Sequence, residues 1–231
     1  MNRVHPSAVV GDDVRLGHAN VIGPYAVILG PVRLGDDNWI GPHAVIGTPA
    51  EIRGIDHGAL TASSAIGSGI EIGHRNVIRE YVTVQQGHYA VTVIGDDCYL
   101  MNKVYVGHDG VIGDEVTMAS GATLGGHVHV GAGANLGMGA TLHQRRVVGP
   151  VAMVGMDSTV TRDVPPYALA FGSPCRVRGA NRVGMRRAGV QEAAIDVIDA
   201  AYRAGRDEVV GTDATLRSAW DWWNAETSPS V

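Results

Sequence analysis

The chain has 231 residues, with 18 Lys and Arg against 23 Asp and Glu, and a formal charge of −5. This mild acidity argues against a general nucleic-acid binder and against a membrane-surface binder, because both classes present basic patches. Hydrophobic residues make up 45% of the chain and charged residues 18%, which excludes an intrinsically disordered protein. Gly is abundant, at 32 residues, whereas Phe occurs once, and the repeats described below explain this composition.

The sequence predicts a cytoplasmic protein without stable membrane insertion. No apolar run approaches the roughly 18 residues of a membrane-spanning helix. The first residues, MNRVHPSAVVGDD, lack the basic and apolar segments of a secretory signal. Cys98 and Cys175 are too few for a framework of disulfides.

An aliphatic residue recurs every six residues along most of the chain. The phase holds over 4–46, resumes over 66–84 beginning with Ile66, and resumes again over 94–160, giving 24 hexads. Six residues fit one short strand and one tight corner, with the aliphatic side chain inward and a small or β-branched residue often at the fifth position. So many hexads in phase predict stacked parallel strands in a β-helix, and they disfavour unconnected Gly-rich turns in a β-sandwich.

Two segments interrupt the hexads, one near residues 48–65 and one near residues 85–93. Loops that leave a rigid scaffold often carry binding residues, although a tolerated insertion explains them as well. The prolines after Val164 end the repeat, so we assign residues 1–170 to the β-helix and residues 171–231 to a C-terminal helical region. Apolar spacing predicts helix over 182–204 and about 213–225, covering an open end of the β-helix.

Three fifth positions carry polar residues that an interior has to accommodate. Asn20 and Asn38 are predicted to stack as a structural ladder. Arg146 also falls on a fifth position, and because a buried unpaired guanidinium is costly, we expect the coil to distort there. Cys98 falls on an inward position as well and is predicted to pack in the core rather than act as a nucleophile.

The hexads resemble those of the hexapeptide-repeat acyltransferases, whose fold is a left-handed parallel β-helix. This resemblance implies three hexads, or 18 residues, in each coil. Residues 18 apart would then stack in columns. The richest polar segment gives two such columns, His108 with Gly126 and Gln144, and Asp109 with His127 and Arg145.

The first residues of these columns suit acyl transfer, which needs a base, a group that orients the base and an oxyanion donor. His108 has a side chain suited to the base, Asp109 could orient it, and the backbone N–H of Gly126 could bind the oxyanion. The alternative for any lone histidine is an ordinary surface side chain. His127 and His143 have no third ligand at a useful spacing, so no metal site is predicted.

A longer series of motifs resembles one family, the acyl-(acyl-carrier-protein)–UDP-N-acetylglucosamine O-acyltransferases, which open lipid A synthesis. The matching stretches are IGHRNVIREYVTV, IGDDCYLMNKVYVGHDGVIGD, ATLGGHV, GATLHQ, DVPPYALAFG and NRVGMRRAG. The resemblance implies that His108 is the general base, that Asp109 polarises it, and that Gly126 supplies the oxyanion N–H. It implies substrate contacts for His127, His143, Gln144, Asn181 and Arg187.

The same resemblance implies an acyl-carrier-protein donor, no cofactor, no metal, and a homotrimer with active sites between subunits. The chain departs from the family at acceptor-side positions. Gln85 and Tyr105 stand where the family has histidines, and both are assigned to substrate binding; Val183 stands where it has an acidic residue. Met156 lies where the family tunes acyl length and predicts a shorter chain, unless it serves ordinary interior or trimer packing.

The sequence therefore predicts an acyltransferase that moves a (hydroxy)acyl chain from acyl-carrier protein to a hydroxyl of UDP-N-acetylglucosamine or a related nucleotide sugar. An alternative keeps the chemistry on another nucleotide sugar or a nucleoside, by O- or N-acylation, in specialised metabolism. A third interpretation is a non-catalytic β-helix that binds a small molecule or serves as a scaffold.

Overall fold

The computed structural model describes residues 1–54, 67–206 and 214–228. The chain winds as a β-helix with three flat faces, named A, B and C, and each face is a sheet of short, mainly parallel strands. Face A contains β1 (Arg3–Val4), β4 (Val21–Ile22), β7 (Trp39–Ile40), β10 (Val77–Ile78), β13 (Tyr99–Leu100), β16 (Thr117–Met118), β19 (Asn135–Leu136), β22 (Met153–Val154), β24 (Ala168–Phe171) and β25 (Arg176–Ala180). Face B contains β2 (Val9–Val10), β5 (Val27–Ile28), β8 (Val45–Thr48), β11 (Thr83–Gln85), β14 (Tyr105–Val106), β17 (Thr123–Leu124), β20 (Thr141–Leu142) and β23 (Thr159–Val160). Face C contains β3 (Val14–Leu16), β6 (Val32–Leu34), β9 (Ile70–Ile72), β12 (Thr92–Ile94), β15 (Val111–Ile112), β18 (His129–Val130) and β21 (Val147–Val148).

The hexad aliphatic residues fill the interior, as the sequence predicts. Ile28, Ile40 and Ile46 are each fully buried, and the fifth-position residues Ala44 and Ala122 are buried beside them. Burying one such aliphatic side chain contributes about 1.5–3 kcal/mol, so the repeated inward residue is the main source of stability. The predicted β-helix of hexapeptide repeats with a small helical C-terminal region is confirmed.

Successive coils pair in register at a spacing of 18 residues, as between Val106 and Leu124. The two predicted excursions both lie where face B turns to face C, a set of turns called here the BC corner. The first places Val77 opposite Trp39, 38 residues earlier, and the second places Tyr99 opposite Val77. Residues 55–66, including Ile66 and most of the first excursion, lie outside the described residues.

The C-terminal region adds an antiparallel strand and three helices. β25 pairs antiparallel with β24, the last parallel strand of face A. The helices are α1 (Arg182–Arg187), α2 (Glu192–Arg203) and α3 (Ala214–Thr227). The predicted continuous segment 182–204 is thus two helices, because Gly189 turns the chain with a φ of +79° between them. The predicted helix at about 213–225 is confirmed from residue 214, and residue 213 lies outside the described residues. The division at residue 170 stays a prediction.

The expected distortion at Arg146 is wrong. β21 keeps its register with β18, with His129 opposite Val147, and the N–H of His129 donates to the Arg146 carbonyl at 3.0 Å. The guanidinium escapes burial instead. It is 30% exposed and forms an ion pair with Asp163 at 3.2 Å, so the charge is paired and hydrated without any change in the coil.

The predicted asparagine ladder is confirmed and is longer than the sequence indicates. Asn20 Oδ1 accepts from the N–H of Asn38 at 2.9 Å, Asn38 Oδ1 accepts from the N–H of Asn76 at 2.9 Å, and Asn76 Oδ1 accepts from the N–H of Cys98 at 2.7 Å. Cys98 is buried as predicted, and burial raises the pKa of its thiol to about 11. The ladder therefore satisfies the backbone N–H groups of Asn38, Asn76 and Cys98 and ends at a buried thiol.

We predict that Asn38→Ala lowers the free energy of unfolding by about 2–3 kcal/mol, because the buried N–H of Asn76 loses its acceptor. Urea unfolding followed by circular dichroism measures this loss. Asn135→Ala, at a partly exposed position of β19, is the matched control. A loss below about 1 kcal/mol for Asn38→Ala would show that the ladder contributes little.

Candidate active site

His108 and Asp109 lie at the BC corner, directly after β14. The His108 Nδ1 and the Asp109 Oδ2 are 2.7 Å apart, and the side chains of His108 and Asp109 are 16% and 1% exposed. With Nδ1 protonated toward the carboxylate, the unprotonated Nε2 is the basic atom. This is the arrangement in which a carboxylate fixes the tautomer of a histidine base.

Backbone amides surround the other carboxylate oxygen of Asp109. The N–H groups of His88, Tyr89 and Ala90 donate to Oδ1 at 2.8, 2.8 and 2.7 Å. Burial alone would raise the pKa of Asp109, but the hydrogen bonds from Ala90, His108, His88 and Tyr89 outweigh it, so the pKa lies below its ordinary value. Asp109 is therefore an anion held on both oxygens.

His127 lies one coil further along the same corner. Its Nε2 is 3.6 Å from the Asp109 Oδ2, and its ring meets the His108 ring edge-on at 5.0 Å between centroids. Burial lowers the pKa of His127, and Arg145 and His108 add to the lowering against the opposing charge of Asp109. The pair of histidines thus shares one carboxylate, with His127 favoured in its neutral form.

Gly126 leaves space that any other residue would fill. A Cβ at this position would lie 2.6 Å from the His108 Nε2. A side chain at this position would push the His108 ring aside, so glycine lets the ring stay beside Asp109 and keeps its Nε2 open to a reactant. The predicted column of His108, Gly126 and Gln144 is confirmed by the register of β14, β17 and β20.

Gln144 and His143 are exposed at the next coil of the BC corner. The Arg145 N–H donates to the Gly126 carbonyl at 3.0 Å, which stacks this turn on the one before. The His143 Nδ1 lies 3.1 Å from the Gln144 carbonyl oxygen. Both side chains therefore lie exposed on the coil after Gly126, and their predicted substrate contacts stay a prediction.

Tyr105 and Gln85 lie on face B, beside the corner, and each is engaged by the first excursion. The Tyr105 hydroxyl donates to the Glu51 Oε2 at 2.6 Å, and burial followed by the Glu51 carboxylate raises the pKa of the phenol. Gln85 is buried, and its amide nitrogen, turned toward Thr48 and Pro49, donates to their carbonyl oxygens at 3.1 and 2.7 Å. Gln85 thus anchors a loop, whereas Tyr105 remains half-buried beside the site.

Asn181 and Arg187 lie at another corner, where face C turns to face A. Asn181 caps α1, since its Oδ1 accepts from the Gly184 N–H at 3.1 Å, and its Nδ2 donates to the Val151 carbonyl at 2.8 Å. Both residues line a groove of about 740 Å³ that also includes Asn135. A single chain does not bring this groove and His108 together.

Met156 lies at the third corner, where face A turns to face B. It is 71% exposed, and Met138, one coil earlier, is 58% exposed. The interior packing considered for Met156 is therefore wrong, because its side chain points to the outside of the coil.

Residues that the sequence did not single out complete the BC corner. No sequence motif marks the three backbone amides of residues 88–90, because every residue type except proline carries a backbone N–H. Tyr89 is exposed and stacks on His127 with ring centroids 5.9 Å apart. The only sequence signal for them was the break in the hexads near residues 85–93.

His108, Asp109 and His127 also form a group that could hold a metal ion. Their ligand atoms lie within 4.8 Å of one another, and no other such group occurs among the described residues. His143 does not belong to this group, contrary to the pairing weighed from the sequence. Both Asp109 oxygens already take part in hydrogen bonds with protein groups. The expectation that the protein needs no metal stays a prediction.

Among the helices in the described parts of the chain, none has the length and apolar character that crossing a membrane requires.

Two family models match the chain. A model described as UDP-N-acetylglucosamine O-acyltransferase, domain 2, matches residues 163–225, and one described as bacterial transferase hexapeptide (six repeats) matches residues 92–126. The acyl-(acyl-carrier-protein)–UDP-N-acetylglucosamine O-acyltransferase of Gloeothece citriformis is 40% identical over 154 residues, 66% of this chain and 54% of the relative. The chain thus spans about half the length of the curated relatives it matches.

Solved structures extend the similarity over nearly the whole chain. LpxA of Acinetobacter baumannii is 29% identical with a TM-score of 0.70, and the match covers 100% of this chain and 90% of that one. The UDP-N-acetylglucosamine O-acyltransferase of Moraxella catarrhalis is 27% identical with a TM-score of 0.75, over 96% and 92% of the chains. The resemblance that the sequence predicts is confirmed.

We predict that His127 makes the protein less stable in mild acid. Its pKa is lowered in the folded state, so the unfolded chain binds this proton first and stability falls as the pH drops below the ordinary value of 6.5. As the pH falls from about 7.5 to about 5.5, the stability of His127→Gln relative to the wild type should therefore rise. Urea midpoints measure this difference, with His18→Gln as the exposed control. A difference that is constant with pH would contradict the lowered pKa.

Proposed function

We propose that the protein transfers an acyl group from an acyl-carrier-protein thioester to a hydroxyl of UDP-N-acetylglucosamine or a closely related nucleotide sugar. The observation that carries this proposal is the buried, amide-bound Asp109 joined to His108, with Gly126 open beside the basic nitrogen. The names of the similar proteins supply the donor and the acceptor.

The proposed reaction starts at the His108 Nε2, which takes the proton of the acceptor hydroxyl as its oxygen attacks the thioester carbon. Asp109 stabilises the imidazolium that forms. The Gly126 N–H donates to the oxyanion of the tetrahedral intermediate. The intermediate then collapses, the carbon–sulfur bond breaks, and the thiolate of the carrier takes the proton back from His108.

The residues around His108 and Asp109 are proposed to hold the acceptor. His127, His143 and Gln144 follow His108 along the BC corner, on the exposed side of the site. Asn181 and Arg187 lie at a different corner of the same chain, so they reach a molecule at His108 only from a second copy. We include in the proposal the homotrimer with sites between subunits that the family resemblance implies, since such an assembly would supply the second copy.

Acyl-carrier protein as donor, a cytoplasmic location, a role in lipid A synthesis and the absence of a cofactor are part of the same proposal.

A second candidate keeps the acyl chemistry and changes the acceptor to another nucleotide sugar or a nucleoside, by O- or N-acylation. It rests on the contact of Tyr105 alone, since Gln85 is buried against Thr48 and Pro49. Tyr105 donates its proton to Glu51 and offers a ligand only the lone pairs of its oxygen. Tyr105 therefore suits a substrate group that donates a hydrogen bond, and an amine supplies that hydrogen bond as well as a hydroxyl does.

We predict that the protein, in a chelator and without added metal, converts an acyl-carrier-protein thioester and UDP-N-acetylglucosamine to a product that mass spectrometry identifies. His108→Ala should lower kcat by about 100-fold or more, because the base is lost. His18→Ala, at a distant corner, is the control. Full turnover by intact His108→Ala would reject the proposed base. Thioester hydrolysis without acylated sugar would favour the second candidate.

We predict that Met156→Gly shifts the preferred acyl chain to greater length, because removing the exposed side chain lengthens any groove along that corner. Competition between thioesters of different length, read by product mass, measures the shift. Met138→Gly is the matched control, since Met138 is an exposed methionine at the same corner, one coil earlier. An unchanged preference for Met156→Gly would leave Met156 with no part in acyl selection.

A further inference from the structure

We propose that residues 86–92 of the second excursion, called here the 86–92 loop, hold the His108–Asp109 pair in its working geometry. Thr92 is the positioning residue of this loop and fixes the backbone of Asp109. The inference rests on the proposed function for its kinetic consequence. The contacts that carry it do not depend on the identity of any substrate.

The acceptor of one repeated hydrogen bond changes along the BC corner. At the two following coils, the residue in the left-handed region donates its N–H to a carbonyl one coil earlier, His127 to His108 at 2.9 Å and Arg145 to Gly126 at 3.0 Å. Asp109 holds the same place, with a φ of +57°. The coil before it is interrupted, and its N–H donates instead to the Thr92 Oγ1 at 3.0 Å. A side-chain hydroxyl thus replaces a backbone carbonyl at the coil that bears His108 and Asp109.

Thr92 is fully buried, so it does not touch a bound substrate, and its hydroxyl reaches the site through the Asp109 N–H. Its own N–H donates to the Gly69 carbonyl at 3.1 Å, which fixes it to the preceding coil. Leaving the Asp109 N–H without an acceptor would favour a backbone rotation, since an unsatisfied buried amide is energetically unfavourable. Rotation of Asp109 moves the carboxylate that fixes the tautomer of His108.

Hydrogen bonds to neighbouring coils also hold the rest of the 86–92 loop in place. The Gln86 Nε2 donates to the carbonyls of Gly30 and Gly47 at 3.0 and 2.5 Å. Gly87 donates to Gly69 at 3.0 Å, and a Cβ on Gly87 would lie 1.7 Å from the Ala90 carbonyl oxygen. Only glycine permits this bend, which directs the next three amides at Asp109. The contacts therefore fix the course of the 86–92 loop around Asp109. The loop is more than an insertion that the β-helix tolerates.

The kinetic test compares Thr92→Val, which replaces the hydroxyl by a methyl group, with Thr92→Ser, which keeps the hydroxyl. We expect Thr92→Val to lower kcat about 10-fold or more while both KM values stay within about 2-fold, and Thr92→Ser to restore most of kcat. Ser158→Ala is the matched control, because Ser158 is a buried hydroxyl that accepts the Gly172 N–H at 3.1 Å at a different corner. A folded Thr92→Val with an unchanged kcat would overturn the proposal.

A second measurement needs neither substrate nor turnover. Nitrogen-15 NMR of the imidazoles, with His108→Gln to assign the signal, reports which ring nitrogen of His108 carries the proton. We expect Nδ1 to be protonated in the wild type and in Thr92→Ser, with loss of this tautomer in Thr92→Val. If Thr92→Val fails to fold, Thr92→Ala is measured in the same way.

The two measurements separate the two proposals. A wild-type protein that forms no acylated sugar but shows the tautomer change in Thr92→Val contradicts the proposed function and supports the positioning role. The wild-type tautomer in Thr92→Val, Thr92→Ala and Thr92→Ser alike rejects the positioning role, whatever the activity.

Discussion

Hydrogen bonds between successive coils hold residues 18 apart in the chain opposite each other, as along Val106, Leu124 and Leu142. Each hexad places one aliphatic side chain in a narrow interior, so a coil that gained or lost one residue within a strand would turn that side chain outward. Extra residues are therefore confined to the corners and to the strand ends beside them, as where β8 and β11 shift register after Val84. Both excursions obey this rule, since Val77 keeps its register with Trp39 before it and with Tyr99 after it.

The same constraint makes one corner suitable for chemistry. A corner repeated every coil brings His108, Gly126 and Gln144 into a column at fixed spacing, without relying on flexible segments. The excursions interrupt the coils just before this column, and they supply what a regular coil lacks, free amides and side chains. Asp109 needs them, because a fully buried carboxylate is unfavourable unless both oxygens have partners.

The parts of the molecule that follow from periodicity could be read from the sequence. The hexad phase predicts the core and the excursions, because these depend only on counting residues. The asparagine ladder and the column of His108 with Gly126 also need the coil of three hexads that the family resemblance implies. What depends on a particular backbone path could not be predicted. The amides of residues 88–90 carry no sequence signature, and Arg146 escapes burial through Asp163, a partner that lies in the next coil. The pairing of Tyr105 with Glu51 spans an excursion whose course the repeat does not determine.

Under the proposed function, the groups that carry the acyl transfer are separate from the groups that choose the acceptor. Asp109, Thr92 and Gly126 lie in buried hydrogen bonds or lack a side chain, so a change at any of them disturbs the coil itself. Tyr105 is partly exposed, and its partner comes from a loop. Such a side chain can be exchanged without moving His108 and Asp109. The acceptor that the site takes can therefore change while the proposed acyl-transfer chemistry stays the same.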